Sequence, residues 1–256
     1  MRTIIITGAS SGIGRALALR YARPDAVLGL LGRNAARLES VADECRKLGA
    51  TVHAATVDVR DRVELKSWID AFDEATPVDL LIANAGVMEG TPPDGEIEPP
   101  DAAHALMETN VLGVLNTVQP ILPRMMARGR GQIALVSSIA GFTPLPDAPS
   151  YSASKAALLN YGLSLRALLA SRSIRLSVIC PGYITTPMML RESGPKPFEM
   201  APEKAAGLIE RGLERDRAVI VFPFWFGWAT RISGRLPDRV RRWTMRPFRF
   251  TVSDPN

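Results

Sequence analysis

Residues 3–14 read Thr-Ile-Ile-Ile-Thr-Gly-Ala-Ser-Ser-Gly-Ile-Gly, a short apolar run that passes straight into three glycines. A strand that is apolar at successive positions fits a sheet covered by helices on both faces. In the turn, Gly8 permits the tight bend and Gly12 lets a pyrophosphate approach the backbone. Gly14 lets the following helix pack closely, with its N–H groups facing the phosphates. The spacing is GxxxGxG, not the commoner GxGxxG, so the turn points to a nucleotide through its place between strand and helix. Ser10, Ser11 and Ile13 complete the candidate cofactor contacts of this loop.

The same rhythm continues outward. Apolar runs at 26–31, 51–57, 78–83, 132–137, 174–180 and 218–222 alternate with helix-like segments at 35–48, 62–75, 102–127, 150–170 and 202–214. The pattern predicts an α/β fold of Rossmann type, a doubly wound parallel sheet of about seven strands with helices on both faces. Ligands then bind beyond the carboxyl ends of the strands. The division expected is a catalytic domain over 1–222 and a basic, aromatic C-terminal extension over 223–256.

Each strand end carries chemistry. The second closes on Gly32-Arg33, where a site for NAD would place an acid on the ribose 2′-hydroxyl; the guanidinium of Arg33 suits a 2′-phosphate instead, with Arg15 as a second positive charge. Asp58 and Val59 follow the third strand, where the carboxylate could meet an adenine amino group, and Asn84-Ala85-Gly86 follows the fourth. Both are also ordinary turn residues. Ser138 ends the fifth strand, and Tyr151 and Lys155 stand four residues apart, neighbours on one helix face.

The turn at 7–14, Asn84-Ala85-Gly86, Asn110, Ser138, the run Tyr151-Ser-Ala-Ser-Lys155 and the run Pro181-Gly182-Tyr-Ile184-Thr-Thr186 together resemble the short-chain dehydrogenase/reductase family, in order and spacing, over roughly residues 2–222. The resemblance implies a nicotinamide-dependent oxidoreductase with a Ser138-Tyr151-Lys155 centre. It also implies that Asn110 completes a proton relay, that Ile184 and Thr186 contact the nicotinamide carboxamide, and that Pro181 and Gly182 join the cofactor contacts. Homodimers or homotetramers built through the helices at 102–127 and 150–170 are a further implication.

The chemistry is sensible on its own terms. Reducing a ketone puts negative charge on oxygen, so one group must supply a proton and another must hold the oxygen. Tyr151 is the candidate donor and Ser138 the holder. A free phenol has a pKa of about 10, and a nearby ammonium such as Lys155 favours its ionised form. With Arg33 and no acid at Gly32, NADP(H) is expected over NAD(H). Phe142, Leu145, Tyr183, Met188, Met189, Leu190, Phe198 and Met200 lie where a substrate would sit, with a lid over 187–201, which points to a small apolar carbonyl or alcohol of lipid-like or steroid-like character. A catalytically silent NAD(P) sensor and a membrane-docked scaffold are the other classes this fold allows, and the intact Ser-Tyr-Lys set argues against both.

Composition bounds the rest. The chain has 256 residues, 46% hydrophobic and 22% charged, an ordinary globular balance. Cys45 and Cys180 are far apart, and His53 and His104 have no ligand-spaced neighbours, so no metal site is expected and a reducing cytoplasm fits. Residues 230–256 hold seven arginines and two aspartates, which accounts for the whole net charge of +5. With no extended basic face on the body, nucleic acid is not an expected partner. Beside those arginines stand Phe222, Phe224, Trp225, Phe226, Trp228 and Trp243, a pattern that suits either peripheral contact with the inner face of a membrane or a subunit interface.

Overall fold

The computed structural model describes residues 2–253. Seven parallel strands lie in the order β3-β2-β1-β4-β5-β6-β7: β1 Arg2–Thr7, β2 Ala26–Gly32, β3 Thr51–Thr56, β4 Leu80–Ala83, β5 Gly131–Val136, β6 Ile174–Pro181 and β7 Val219–Phe222. The direction of winding reverses between β1 and β4, which opens a crevice at their carboxyl ends.

Alternation along the strands explains the two layers. Ile4, Ile6, Leu28, Leu30 and Ile82 point into one core, under helices α1 Gly12–Tyr21, α2 Ala35–Lys47 and α8 Pro202–Glu214. Ile5, Leu31, Leu81, Ile133 and Leu135 point into the other, under α3 Arg62–Ala75, α5 Gly113–Arg128 and α6 Pro149–Leu169. Cys45 is buried in the first core and Cys180 in the second. His53 is exposed on β3 with its ring edge-on to Phe72, and His104 caps the carbonyl of Pro100 from an exposed position.

The segment expected as one helix over 102–127 is instead α4 Pro100–Met107, a π-helical turn Glu108–Leu112, and α5. A π turn carries one extra residue per turn, and a periodicity argument does not register it. It brings Asn110 to full burial.

A short helix, α7 Pro187–Leu190, precedes α8; beyond β7 the chain forms α9 Phe224–Ser233, α10 Asp238–Met245 and a 3-10 turn Arg246–Phe248, then returns to an isolated bridge between Val252 and Glu192. It is seated by close backbone approaches. A methyl on Gly234 would stand 2.0 Å from the carbonyl oxygen of Phe142, and Val252 N–H donates to the carbonyl of Thr91 at 2.9 Å. Arg249 Nε donates to both oxygens of the buried Asp147, at 2.6 and 2.8 Å. Phe250 and Val252 pack with Met88, Ala148 and Tyr151.

Candidate active site

The glycine turn is held by close contact. Gly8 has φ +66°, and a methyl there would lie 2.8 Å from the Ala85 Cα. On Gly14 it would lie 2.2 Å from the carbonyl oxygen of Gly8, so α1 starts against the turn only because Gly14 has no side chain. Gly12, with φ +53°, faces Thr186. The first turn of α1 carries no acidic residue and Ser11 makes no side-chain cap, so its positive end is free to face an anion.

Asn84 serves the turn itself. Its Nδ2 donates to the carbonyls of Thr7 and Gly8 at 2.9 and 3.2 Å, while Thr7 Oγ1 accepts from the N–H groups of Asn84 and Ala85 at 3.1 Å each. Asn110 is similarly engaged: its Oδ1 accepts from Val87 N–H at 2.8 Å, and its Nδ2 donates to the Val87 carbonyl and to Ser154 Oγ at 2.9 and 3.1 Å. Its amide thus positions the wall behind Gly86, where a methyl would sit 3.1 Å from Asn110 Oδ1 and 3.5 Å from Lys155 Nζ.

Gly8, Ser11, Gly12, Ile13, Asn84, Ala85, Gly86, Ser138, Tyr151, Lys155, Pro181, Gly182, Ile184 and Thr186 line one cleft. Ser10, Gly14, Arg33, Asp58, Val59 and Asn110 stand outside its lining. Ser10 faces Gly32 from across the turn, with its Oγ 3.4 Å from where a Gly32 methyl would be. Arg33 is exposed and acts by charge on Asp58, which Arg60 grips through Nη2 at 2.7 Å, holding its carboxyl below the usual range. Arg15 is spoken for by Glu44 at 2.7 Å, and so is not the free second charge that its position predicts. Met88 and Val136 line the cleft without having been singled out by the sequence.

Ser138, Tyr151 and Lys155 meet at the floor. Ser138 Oγ accepts from Ala140 N–H at 3.1 Å, which fixes the hydroxyl at the end of β5. Ser137 Oγ donates to the carbonyl of Lys155 at 2.7 Å, tying that strand end to α6. Lys155 Nζ lies 5.6 Å from the Tyr151 ring centre and donates to the Val136 carbonyl at 3.2 Å. Loss of water pushes the Tyr151 phenol up to about 12, against a hydrogen bond with Ser138 that favours ionisation; the charge of Glu192 pushes it further up. The same desolvation draws the Lys155 ammonium down to about 8. In the protein alone the phenol is therefore neutral and holds its proton. The lowering expected from Lys155 is not among the influences on this phenol, and desolvation governs it.

Beside this cleft, and sharing Met88, Ser138, Tyr151, Gly182 and Met189 with it, is a cavity of about 540 Å³. Leu145, Tyr183, Met189 and Phe198 line it as their positions predict. Met188 lines the cofactor cleft, Leu190 is largely exposed, Met200 packs on the core beside Ile184, and Phe142 stacks under Arg231 at 4.2 Å. Much of the remaining wall comes from residues 226–250, among them Phe226, Trp228, Ile232, Leu236 and Phe248. The aromatic content of that stretch was the available signal.

The family model described as short chain dehydrogenase matches residues 2–195. An oxidoreductase of Myxococcus xanthus described as uncharacterized is 37% identical over 93% of each chain. The mouse 17-beta-hydroxysteroid dehydrogenase 13 is 31% identical over 87% of this chain and 74% of its own. Among solved structures, a short-chain dehydrogenase from Sphingobium yanoikuyae in complex with NADPH superposes with a TM-score of 0.79 at 25% identity, covering 93% of this chain and all of the other. One from Mycobacterium paratuberculosis bound to NAD gives 0.75 at 27%, covering 86% and 94%. Motifs, sheet order and relatives agree, and the chain belongs to the short-chain dehydrogenase family, nicotinamide-dependent oxidoreductases acting on CH–OH groups.

Proposed function

We propose that the enzyme interconverts a ketone and a secondary alcohol on a bulky apolar substrate, with NADP(H) as the preferred cofactor and Tyr151 as general acid and base. The observation that carries this reading is the 540 Å³ cavity, walled by apolar side chains, that opens onto Ser138 and Tyr151. The hydroxysteroid dehydrogenases among its relatives fit the same size and character.

The bound nicotinamide supplies or accepts the hydride. The chain's own residues do the rest. Gly8, Gly12 and the start of α1 receive the pyrophosphate, Arg33 meets a 2′-phosphate where Gly32 brings no competing carboxylate, and Ile184 and Thr186 flank the nicotinamide end. Ser138 donates to the substrate oxygen as charge gathers there, and neutral Tyr151 delivers its proton to that atom. Lys155 compensates the phenolate left behind, and Asn110 holds the wall against which Lys155 rests. Purified enzyme assayed by nicotinamide absorbance with both cofactors, on bulky ketones such as estrone and on small aldehydes, tests the reading. Faster reduction of the bulky ketones with NADPH supports it; indifference to substrate size, or a preference for NADH, overturns it.

Two surfaces support partners. Met107, Leu112, Leu163 and Leu168 are exposed on the segments around α4 to α6, suited to a homodimer or homotetramer interface. On the extension, Trp225 is 77% exposed and Phe224, Trp228 and Trp243 lie largely in solvent, with Arg235, Arg239 and Arg246 free of ion pairs among the described residues. Arg241 and Arg242 share Asp238, and Arg249 is held by Asp147. No helix among the described residues is long and apolar enough to cross a membrane. Aromatics among unpaired arginines favour reversible contact with an anionic bilayer. Co-sedimentation with anionic vesicles that is lost at high salt, and lost when Arg235, Arg239 and Arg246 become Ser, supports that contact; no binding at low salt overturns it.

A further inference from the structure

Glu192 is out of place by every rule of burial. It lines the 540 Å³ cavity among Met88, Leu145, Phe226 and Phe248, and it is 5% exposed. Among the described residues its carboxyl has neither hydrogen bond nor ion pair. Its oxygens reach the interior of the cavity without being sealed off, and a carboxyl poor in water with no protein partner is costly to hold ionised.

The surrounding charges show that the gap is not filled by a neighbour. Arg191, the preceding residue, turns to Glu89 at 2.9 Å and to the Met88 carbonyl at 3.1 Å. Lys196 acts on Glu192 only through its charge, and Tyr151 and Tyr183 are the two titratable groups that feel Glu192 in turn. The backbone is fixed on both sides: Glu192 bridges Val252, Ser193 N–H donates to the Thr251 carbonyl at 2.9 Å, and Ser253 N–H donates to the Arg191 carbonyl at 2.9 Å. This single antiparallel bridge and its flanking hydrogen bonds clamp the backbone of Glu192 at the cavity wall.

Resting on the reading of the cavity as a ketone and alcohol site, we propose that Glu192 is a specificity-determining residue that hydrogen-bonds a second hydroxyl, carried by the substrate away from the reacting carbon. Burial lifts the carboxyl to about 7, so both its forms are present near neutrality. A hydroxyl suits either form, since it donates to the carboxylate and accepts from the acid. An ammonium would suit only one, and would itself lose water against apolar walls. The substrate class is then an apolar hydroxyketone or diol, with one oxygen at Tyr151 and the other at Glu192. A site with a buried polar group awaiting a partner rejects the analogue that lacks it.

The test uses full-length enzyme saturated with NADPH and two kinds of probe: straight-chain methyl ketones of increasing length, each with and without a terminal hydroxyl, and estrone with its 3-deoxy counterpart. The wild type is expected to favour a hydroxylated member by about 10- to 150-fold in kcat/KM, the range of a hydrogen bond to a charged group, with the effect in KM. Glu192→Leu should erase that preference, read as the ratio of hydroxylated to plain ketone so that any change in the common rate cancels, and Glu192→Gln should keep part of it. A preference that is absent from the wild type, or equal in wild type and Glu192→Leu, overturns the assignment while leaving ketone reduction standing. If no ketone is reduced, the functional reading falls, and binding followed by tryptophan fluorescence still decides the role of Glu192. Tighter binding of the hydroxylated partner in the wild type alone supports it; no difference, or no binding of either, overturns it.

Discussion

The two sides of the cleft are made of different materials. On the cofactor side much of the wall is backbone: Gly8, Gly12 and Gly86 line it, and a methyl on any of them would run into Ala85, Thr186 or Asn110. On the substrate side the wall is mostly side chain, drawn from positions as far apart in the chain as Met88 and Phe250. A backbone wall demands glycine at fixed places, and a side-chain wall demands only bulk. The first is therefore narrow in what it accepts and the second is free to vary, with Tyr151 and Ser138 standing where they join.

The sharpest way to break this division is at that seam. Tyr151→Phe removes the proton donor and should lower kcat by about 10²- to 10⁴-fold in steady-state assays, while titration finds cofactor affinity nearly unchanged. Comparable loss of cofactor binding would mean that the two sides are not separable.

Next in size is the stability held in the substrate wall. The Glu192 carboxyl has an ordinary value of 4.5 and lies at about 7 in the folded protein. Because the folded state holds this proton more tightly, wild type loses stability relative to Glu192→Gln as pH rises from about 4.5 to about 7, and the difference stays constant above. The gap corresponds to about 3 kcal/mol. Denaturant melts of both proteins at pH 5 and pH 8 measure it, and equal differences at the two values would place the carboxyl in water.

On the cofactor side, Arg33→Ala should reduce the preference for NADPH over NADH by about 10- to 150-fold, with little effect on NADH itself. The expected change is confined to dissociation constants for the phosphorylated cofactor. Smallest is Gly234→Ala. The added methyl must push the extension away from Phe142, at a cost of about 1–3 kcal/mol. KM for a bulky ketone should rise while cofactor affinity holds; a uniform loss in both would show that the extension supports the whole sheet.

The same difference in material explains what was legible before any coordinates. Glycines at 8, 12 and 14, and the Tyr151 and Lys155 pair, are sequence-local, so their spacing already reports their geometry. The π turn at 108–112 hid in an apparently continuous helix, because one added residue per turn leaves the apolar pattern nearly intact. Arg15 read as a free cation because nothing in its neighbourhood along the chain announces Glu44, which reaches it from α2. Asp58 likewise turns to Arg60. The cavity wall was the least legible. Phe226 reads as a surface or interface residue, and only the contacts of Gly234 and Asp147 turn its ring toward the cavity.

The clamp that carries Glu192 also sets an order of events during synthesis. The cofactor cleft is lined by residues between 8 and 189, whereas the segment that fixes Glu192 and closes the cavity comes at 249–253. Synthesis runs from the N-terminus, so the residues that line the nucleotide cleft all exist before the wall that faces the substrate has been made.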